Sequence, residues 1–198
     1  MNKIATTDIK KLRELTGVGM QDAATALMEA SGDMEKAISL LRKKGVVKAA
    51  KKSERIASQG LVDVYVHGGR VGVLVEVNCE TDFVAKTDDF KSLVHDVALQ
   101  IAATAPAYVR REDVPVAVLQ SEREIITEQV TREGKPQAMA DKVVNGRLEK
   151  FYSETCLLEQ PSIKDPKVTV NLLVQNAVAR LGENIVVSRF ARFELGKK

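Results

Sequence analysis

A chain of 198 residues, 44% of them hydrophobic, can bury one good core or one core with a small satellite domain. Its formal charge of +3 does not indicate a nucleic-acid binder acting through overall charge, because such domains carry a dense face of one sign. Two cysteines, Cys79 and Cys156, provide neither a disulfide framework nor a C-x-x-C metal motif. With no apolar signal segment and no uncharged apolar run of about 18 residues, the sequence predicts a soluble cytoplasmic protein.

Residues 1–45 are predicted to form a compact module of three short helices, because stop and cap residues recur between apolar positions spaced three and four apart. Thr7 or Asp8 is placed to cap the first helix. The predicted ends of the helices are Gly17–Gly19, Ser31–Gly32 and Gly45. The predicted inner positions are Ile9, Leu12 and Leu15, then Ala23, Ala26, Leu27 and Ala30, then Ala37, Ile38 and Leu41.

A basic segment follows, and residues 46–59 are predicted to be a solvated linker. The basic residues around it are Arg42, Lys43, Lys44, Lys48, Lys51, Lys52 and Arg55, against the single acid Glu54. A nucleic-acid or ribosome contact is the alternative interpretation of this run. No aromatic side chain is interleaved for base stacking, so we do not expect direct nucleic-acid binding.

Residues 60–198 are predicted to form an α+β core. Alternating apolar residues over 61–66 and 71–77 predict a hairpin, with Gly68-Gly69 as its turn. Thr87 is placed to cap a helix whose first turn carries Asp88 and Asp89. The apolar positions predicted to be the core stripe of that helix are Phe90, Leu93, Val94, Val97 and Ile101.

A helical hairpin is predicted over about residues 115–151, opened by Pro115 and divided by Gly134 and Pro136. Its facing residues would be Ile125, Ile126 and Val130 on one helix, and Ala140, Val143, Val144 and Leu148 on the other. An irregular crossing over 152–168 and a helix from Thr169 to Gly182 follow. A last strand with Ile185, Val187, Phe193 and Leu195 should complete a three-stranded antiparallel sheet covered by helices.

No ordinary catalytic or cofactor motif is present in this sequence. His67 and His95 are too scattered for a metal site or a nucleophile-base pair, and no phosphate-binding glycine loop occurs. We therefore expect no covalent catalysis, no cofactor and no metal. Because 27 acidic residues guarantee chance carboxylate pairs, a hydrolytic enzyme stays open as a third hypothesis.

The segment Glu80–Val84, which joins the hairpin to the helix capped by Thr87, carries the most informative aromatic residue, Phe83. We call these five residues the tip segment. Composition alone favours a buried Phe83 that packs on the first helical turn, because aromatic side chains are usually buried. The functional alternative is an exposed apolar tip beside Asp82, suited to insertion into a partner protein.

The stretch Glu76–Lys86, EVNCETDFVAK, resembles the signature of bacterial elongation factor Ts, in its short form. Further resemblances are Leu12–Met20, LRELTGVGM, together with Gly134-Lys135-Pro136 and Arg192-Phe193-Glu194. The resemblance covers essentially the whole chain. It implies a ubiquitin-associated-like N-terminal module, a basic linker and an α+β core, and the activity of a guanine nucleotide exchange factor for elongation factor Tu.

By the same resemblance, the exchange factor binds the GTPase in its GDP form, disturbs the region that holds the nucleotide's magnesium ion and promotes release of GDP, so that GTP can bind. The residues implied in this disturbance are Thr81, Asp82, Phe83 and Val84. Those implied in partner binding by the N-terminal module are Leu12, Arg13, Gly17, Val18, Gly19 and Met20.

Two departures from the family pattern bear on the partners. Many relatives carry lysines after the first motif, where this chain has Ala24 and Thr25. Longer relatives have two hairpin-and-helix core units, where this chain has one. Two chains could supply both units, so we expect a homodimer that binds two copies of elongation factor Tu.

Overall fold

A computed structural model describes residues 4–133 and 137–197 and confirms the α+β class. The helices are α1 Thr6–Thr16, α2 Met20–Glu29, α3 Met34–Ala50, α4 Asp82–Ala85, α5 Asp88–Thr104, α6 Val116–Arg132, α7 Gln137–Thr155 and α8 Val170–Leu181. The strands are β1 Gln59–His67, β2 Val71–Cys79 and β3 Ile185–Glu194, which form an antiparallel sheet in the order β1-β2-β3.

The chain divides into two compact units that are discontinuous in sequence. The first unit comprises Met1–Leu61, Val77–Leu93 and Leu172–Val186. The second comprises Val62–Glu76, Val94–Asn171 and Val187–Lys198. Among the described residues, no helix is both long and apolar enough to cross a membrane.

The predicted hairpin is confirmed. The amide of Arg70 donates to the carbonyl of His67 over 2.9 Å, which closes a two-residue turn. Gly68 and Gly69 both have positive φ, 54° and 67°, as a tight hairpin turn with right-handed strand twist requires. Val73, Val75 and Val77 are buried along one side of β2, as their alternation predicts.

The N-terminal helices pack around a small core. Its buried residues are Leu12, Ala23, Ala26, Leu27, Ala30, Ala37 and Leu41. Gly17 ends α1 with a φ of 68°, where its amide bonds to the carbonyl of Arg13 over 2.7 Å. Four of these seven residues are alanines, which fill little volume, so this core is thin.

Two details of α1 were predicted wrongly. The helix begins at Thr6, with Ala5 as its N-cap residue, so neither Thr7 nor Asp8 caps it. Leu15 is exposed. At about 100° per residue, Ile9 and Leu15 lie about 60° to either side of Leu12, and the bundle covers the side of Ile9.

The predicted end of the third helix at Gly45 was also wrong, because α3 continues to Ala50. Glycine in a helix interior costs up to about 1 kcal/mol relative to alanine, and packing can offset that cost. A Cβ atom at Gly45 would lie 3.5 Å from the Cβ of Ala179 on α8, in ordinary van der Waals contact. Helix α3 therefore continues past Gly45 at the place where α8 packs closely against it.

We expect Gly45→Ala to raise the free energy of unfolding by about 0.5–1 kcal/mol, because alanine favours the helix and its methyl group fits. Urea unfolding measures this change. Gly146→Ala, inside α7 and facing open space, should give a similar gain, whereas Gly19→Ala, outside a helix, should give none. A Gly45→Ala result that matches Gly19→Ala would contradict the continuous helix.

Helix α5 confirms the predicted cap and core stripe. The amide of Phe90 donates to the Thr87 hydroxyl over 3.3 Å, and Asp88 and Asp89 occupy the first turn. The predicted stripe residues are buried: Phe90, Leu93, Val94, Val97 and Ile101.

Helices α6 and α7 pack through Ile126, Val130, Val144 and Leu148, with Ala140 and Val143 partly buried beside them. Ile125 was predicted to join them and is exposed instead, because it lies about 100° around α6 from Ile126. The predicted connection at Gly134 and Pro136 lies outside the described residues.

Toward the C-terminus, the irregular segment begins later than predicted, because α7 extends to Thr155. Helix α8 begins directly after Thr169, and Gly182, with a φ of 82°, follows its last residue.

Candidate functional site

The tip segment follows the end of β2 and runs into α4, a single turn of helix that ends at Ala85. Thr81 is its N-cap, and its side-chain oxygen accepts from the amide of Val84 at 3.4 Å. The hydroxyl of Thr87 donates to the carbonyl of Val84 over 2.7 Å, which joins the end of this turn to the cap of α5. Local hydrogen bonds therefore hold the segment in one conformation.

Phe83 is 79% exposed at the first turn of α4, so it does not pack on the core as composition alone favoured. Thr81 and Val84 are half-buried beside it, and Ala85 is buried beneath. An exposed phenylalanine on an ordered turn is a contact group already held in position, which reduces the ordering cost of binding a partner.

The Asp82 carboxylate faces Lys86 one turn further along. The two charged groups lie 2.6 Å apart, and the hydrogen bond from Lys86 lowers the pKa of Asp82 below its ordinary value of 3.8. Because the pKa of Asp82 is lower in the folded protein, the ion pair stabilises the folded tip at pH values above the ordinary pKa. This stabilisation is lost as the pH falls through the pKa that Asp82 has in the folded protein. Asp82 is therefore ionised at neutral pH.

We expect Lys86→Met to raise the pKa of Asp82 toward its ordinary value, because the largest cause of the depression is removed. Carboxyl chemical shifts of Asp82 followed by NMR between pH 2 and pH 6 measure this, and the range is about the one where such groups titrate. Lys91→Met, at an exposed position of α5, is the matched control and should leave the midpoint unchanged. Equal midpoints in Lys86→Met and wild type would rule out the ion pair in solution.

Cys79 lies buried at the base of the tip segment. Its Sγ–H donates to the carbonyl of Thr81 over 3.1 Å. Burial raises the pKa of this thiol, and the nearby Glu183 carboxylate raises it further. Burial likewise raises the pKa of Cys156. Both cysteines thus have the character of buried apolar residues.

A carboxylate distant in sequence also contacts the tip segment. Glu183, in the turn after α8, accepts hydrogen bonds at one oxygen from the amides of Glu80 and Thr81, over 3.1 and 3.0 Å. Its other oxygen accepts from the Thr81 hydroxyl over 2.6 Å. The sequence carries no signal for this pairing, because Thr81 and Glu183 are 102 residues apart and no recognisable motif contains both.

The predicted N-terminal binding residues separate into different environments. Leu12 is buried in the core of the bundle, so it can act only by supporting the helices. Arg13, Gly17 and Met20 line one cavity of about 570 Å³, with Lys10, Glu14, Asp89 and Arg180. Val18 and Gly19 line a second cavity, of about 490 Å³. None of the tip residues Thr81–Val84 lines either cavity.

Several cations of the basic segment are engaged within the first unit. Lys44 donates to both carboxylate oxygens of Glu29, over 2.7 and 2.8 Å. Lys52 bonds to the carbonyl of Gly182. Arg55 lies 3.6 Å from the Glu80 carboxylate. These contacts give the basic run a structural use, which weakens its interpretation as a nucleic-acid surface.

The histidines have structural partners. His95 Nδ1 lies 3.1 Å from the Asp63 carboxylate, and His67 Nδ1 lies 3.0 Å from the Tyr65 hydroxyl. Within residues 4–133 and 137–197, no three His, Cys, Asp or Glu side chains form a group that could hold a metal ion.

Comparison with known proteins gives a consistent likeness. The family model described as elongation factor TS matches residues 1–197. Elongation factor Ts of Thermoanaerobacter sp. (strain X514) is 60% identical over 195 residues, which cover 98% of this chain and 96% of that protein. That of Moorella thermoacetica is also 60% identical, with the same shares covered. That of Caldanaerobacter subterraneus subsp. tengcongensis is 56% identical over 195 residues, 98% of each chain.

Proposed function

Since the chain belongs to the elongation factor Ts family, and is thus a translation elongation factor, we propose that it is the guanine nucleotide exchange factor for elongation factor Tu. It acts by binding rather than by covalent chemistry. The observation that carries this proposal is the exposed Phe83 beside the ionised Asp82, on a turn whose sequence matches the family signature.

The tip segment acts as the group that distorts the GTPase. Phe83 enters the partner as an apolar anchor, and Asp82 selects the polar surroundings of the insertion, with Thr81 and Val84 at the base of the same turn. Displacing the magnesium ion held by the GTPase unshields the nucleotide phosphates, because Mg²⁺ is coordinated by substrate phosphates and few protein oxygens. GDP then leaves more easily.

Binding energy sets a limit on what the tip segment does alone. A nucleotide held with nanomolar affinity is bound by about 12 kcal/mol, whereas burial of one phenylalanine contributes about 1.5–3 kcal/mol. The remaining energy comes from a wider interface, to which the N-terminal module contributes through the exposed residues Arg13 and Met20. In this proposal the module holds the partner while the tip segment distorts it.

Exchange also requires reciprocity. Whatever factor the protein applies to the affinity of the GTPase for GDP, GDP applies to the affinity of the GTPase for this protein. Tightly bound nucleotide therefore expels the exchange factor, so that one molecule serves many GTPases.

The test is release of a fluorescent GDP analogue from elongation factor Tu, with excess unlabelled GTP present. We expect the release rate to rise with the concentration of this protein and then to saturate. No acceleration at any concentration would refute the exchange function. Salt-dependent binding of RNA in that case would favour the nucleic-acid alternative, because contacts with phosphates weaken as salt rises.

The proposed homodimer has a candidate surface in the second unit, the open face of the sheet. His95 of α5 contacts Asp63, so the alternate residues Val62, Val64 and Val66 of β1 face away from α5, and all three are exposed. Leu74 of β2 and Phe193 of β3 are also exposed. Contiguous exposed apolar residues of this kind mark an interaction surface.

A second copy of the chain suits this open face. Arg189 and Glu76 form an ion pair of 2.7 Å beside the apolar residues, where a shallow cavity of about 290 Å³ is lined by Val62 and Leu74. A surface that carries both signs of charge is self-complementary under a two-fold axis, since each arginine can face the glutamate of the other copy. We propose that two copies pack sheet to sheet and bind two GTPases.

A further inference from the structure

We propose that Glu183 is a positioning residue for nucleotide exchange, which fixes the tip segment so that Phe83 can distort the GTPase. This inference rests on the proposed exchange function and assigns a role to a residue outside the family signature. Glu183 lies in the turn between α8 and β3, within the same compact unit as the tip segment.

The first support is the direction of the hydrogen bonds. Glu183 accepts from the two consecutive amides of Glu80 and Thr81 and from the Thr81 hydroxyl. A carboxylate that accepts several hydrogen bonds forms stronger contacts than a neutral acceptor. Because the hydroxyl oxygen of Thr81 accepts in turn from the amide of Val84, a continuous chain of bonds runs from Glu183 to the turn that carries Phe83.

The second support is that the contact is reciprocal. The Glu80 carboxylate accepts from the amide of Asn184 over 2.6 Å, so residues 80–81 and 183–184 each contribute an acceptor to the other. The Asn184 side chain donates to the carbonyls of Ser53 and Arg55, over 3.3 and 2.8 Å. The turn after α8 is thereby fastened on two sides, which makes it a firm support for the tip segment.

The third support is the contrast between support and exposure. The Glu183 carboxylate accepts its three hydrogen bonds from Glu80 and Thr81, which precede Phe83, whereas Phe83 itself is exposed. An exposed anchor transmits force to a partner only if its base does not yield. We call the contacts of the Glu183 carboxylate with Glu80 and Thr81 the clamp. A displacement of about 1 Å in a positioned group can lower a rate about a hundredfold, so loss of the clamp should affect the distorting step more than initial binding.

The test compares Glu183→Ala with Glu183→Gln in the GDP-release assay, each titrated to saturation. We expect Glu183→Ala to lower the saturating release rate by about tenfold or more, with a change in half-saturating concentration below about threefold. Glu183→Gln should restore most of the rate, because its amide oxygen can accept from both backbone amides and its NH₂ group can donate to the Thr81 oxygen. Glu149→Gln, whose carboxylate is held by Arg111 in the second unit, is the matched control and should match wild type.

A double-variant cycle separates positioning from general stability. If Glu183 acts through the tip, Glu183→Ala should change release by less than about twofold when Phe83→Ala is already present. A full additive loss in that background would overturn the proposal, as would equal losses of rate and of complex formation in Glu183→Ala alone. If Glu183→Ala does not fold, Thr81→Val removes the hydroxyl contact at nearly constant shape, and an unchanged saturating rate in that variant would count against the clamp. Failure of the wild type to accelerate release refutes the exchange function instead, so the two failures are distinguishable.

Discussion

Phe83→Ala is expected to lower the saturating rate of GDP release from elongation factor Tu by about 10- to 100-fold. The reason is that the ring is exposed in the free protein and would be buried only in the complex, where a phenylalanine contributes about 1.5–3 kcal/mol. The affinity for nucleotide-free GTPase should fall by a smaller factor, since most of that interface lies outside the tip segment. Stopped-flow fluorescence gives the rate, and titration of nucleotide-free GTPase gives the affinity.

The exposure of Phe83 also makes this variant interpretable. A side chain that is 79% exposed contributes little to folding, so the unfolding midpoint of Phe83→Ala should stay within the range of ordinary surface substitutions. Ile56→Ala is the matched control, because Ile56 is a large apolar side chain, 84% exposed, in the same unit. An unchanged release rate in Phe83→Ala, or an equal loss in Ile56→Ala, would show that Phe83 is not the distorting group.

Features set by neighbouring residues could be predicted from the sequence. The Gly68-Gly69 turn needs positive φ at both central positions, and two glycines in a row between alternating valines have few other uses. The cap at Thr87 and the stripe on α5 follow from spacing along a single helix. In each case the interacting residues are no more than about four positions apart in sequence, which is about one helical turn.

Features set by contacts between distant residues could not be predicted in this way. Gly45 looks like a helix end, yet α3 continues there beside Ala179, which is more than a hundred residues away in sequence. The carboxylate of Glu183 resembles any other of the 27 acids until the chain brings it to the amides of Glu80 and Thr81. For Phe83 the two kinds of sequence argument disagreed, because composition favoured a buried ring and the family resemblance favoured an exposed one.

We expect the wild-type chain to form the proposed homodimer and the Val64→Lys variant to be a monomer. Light scattering at micromolar concentration should give about twice the chain mass of 21.7 kDa for wild type and the single-chain mass for the variant. Val64 is 59% exposed in the free chain, so lysine there should leave the monomer folded. In a two-fold sheet interface the substitution places two charges in an apolar contact, and the dissociation constant should rise by at least about a hundredfold.

The control and the functional consequence follow from the same geometry. Val47→Lys introduces the same charge at an exposed valine on α3, which belongs to the first unit, and should keep the wild-type mass. A wild-type mass of one chain, or a Val64→Lys variant that keeps the double mass, would refute this dimer surface. If one GTPase must be bound by the hairpin-and-helix core units of two chains, the monomeric variant should also lose stimulation of GDP release. Its tip segment, which lies in the first compact unit, would still be intact. Because Val64 and Phe83 belong to different compact units, a loss of release in Val64→Lys without a loss of Phe83 exposure would show that exchange depends on the second copy as well as on the tip segment.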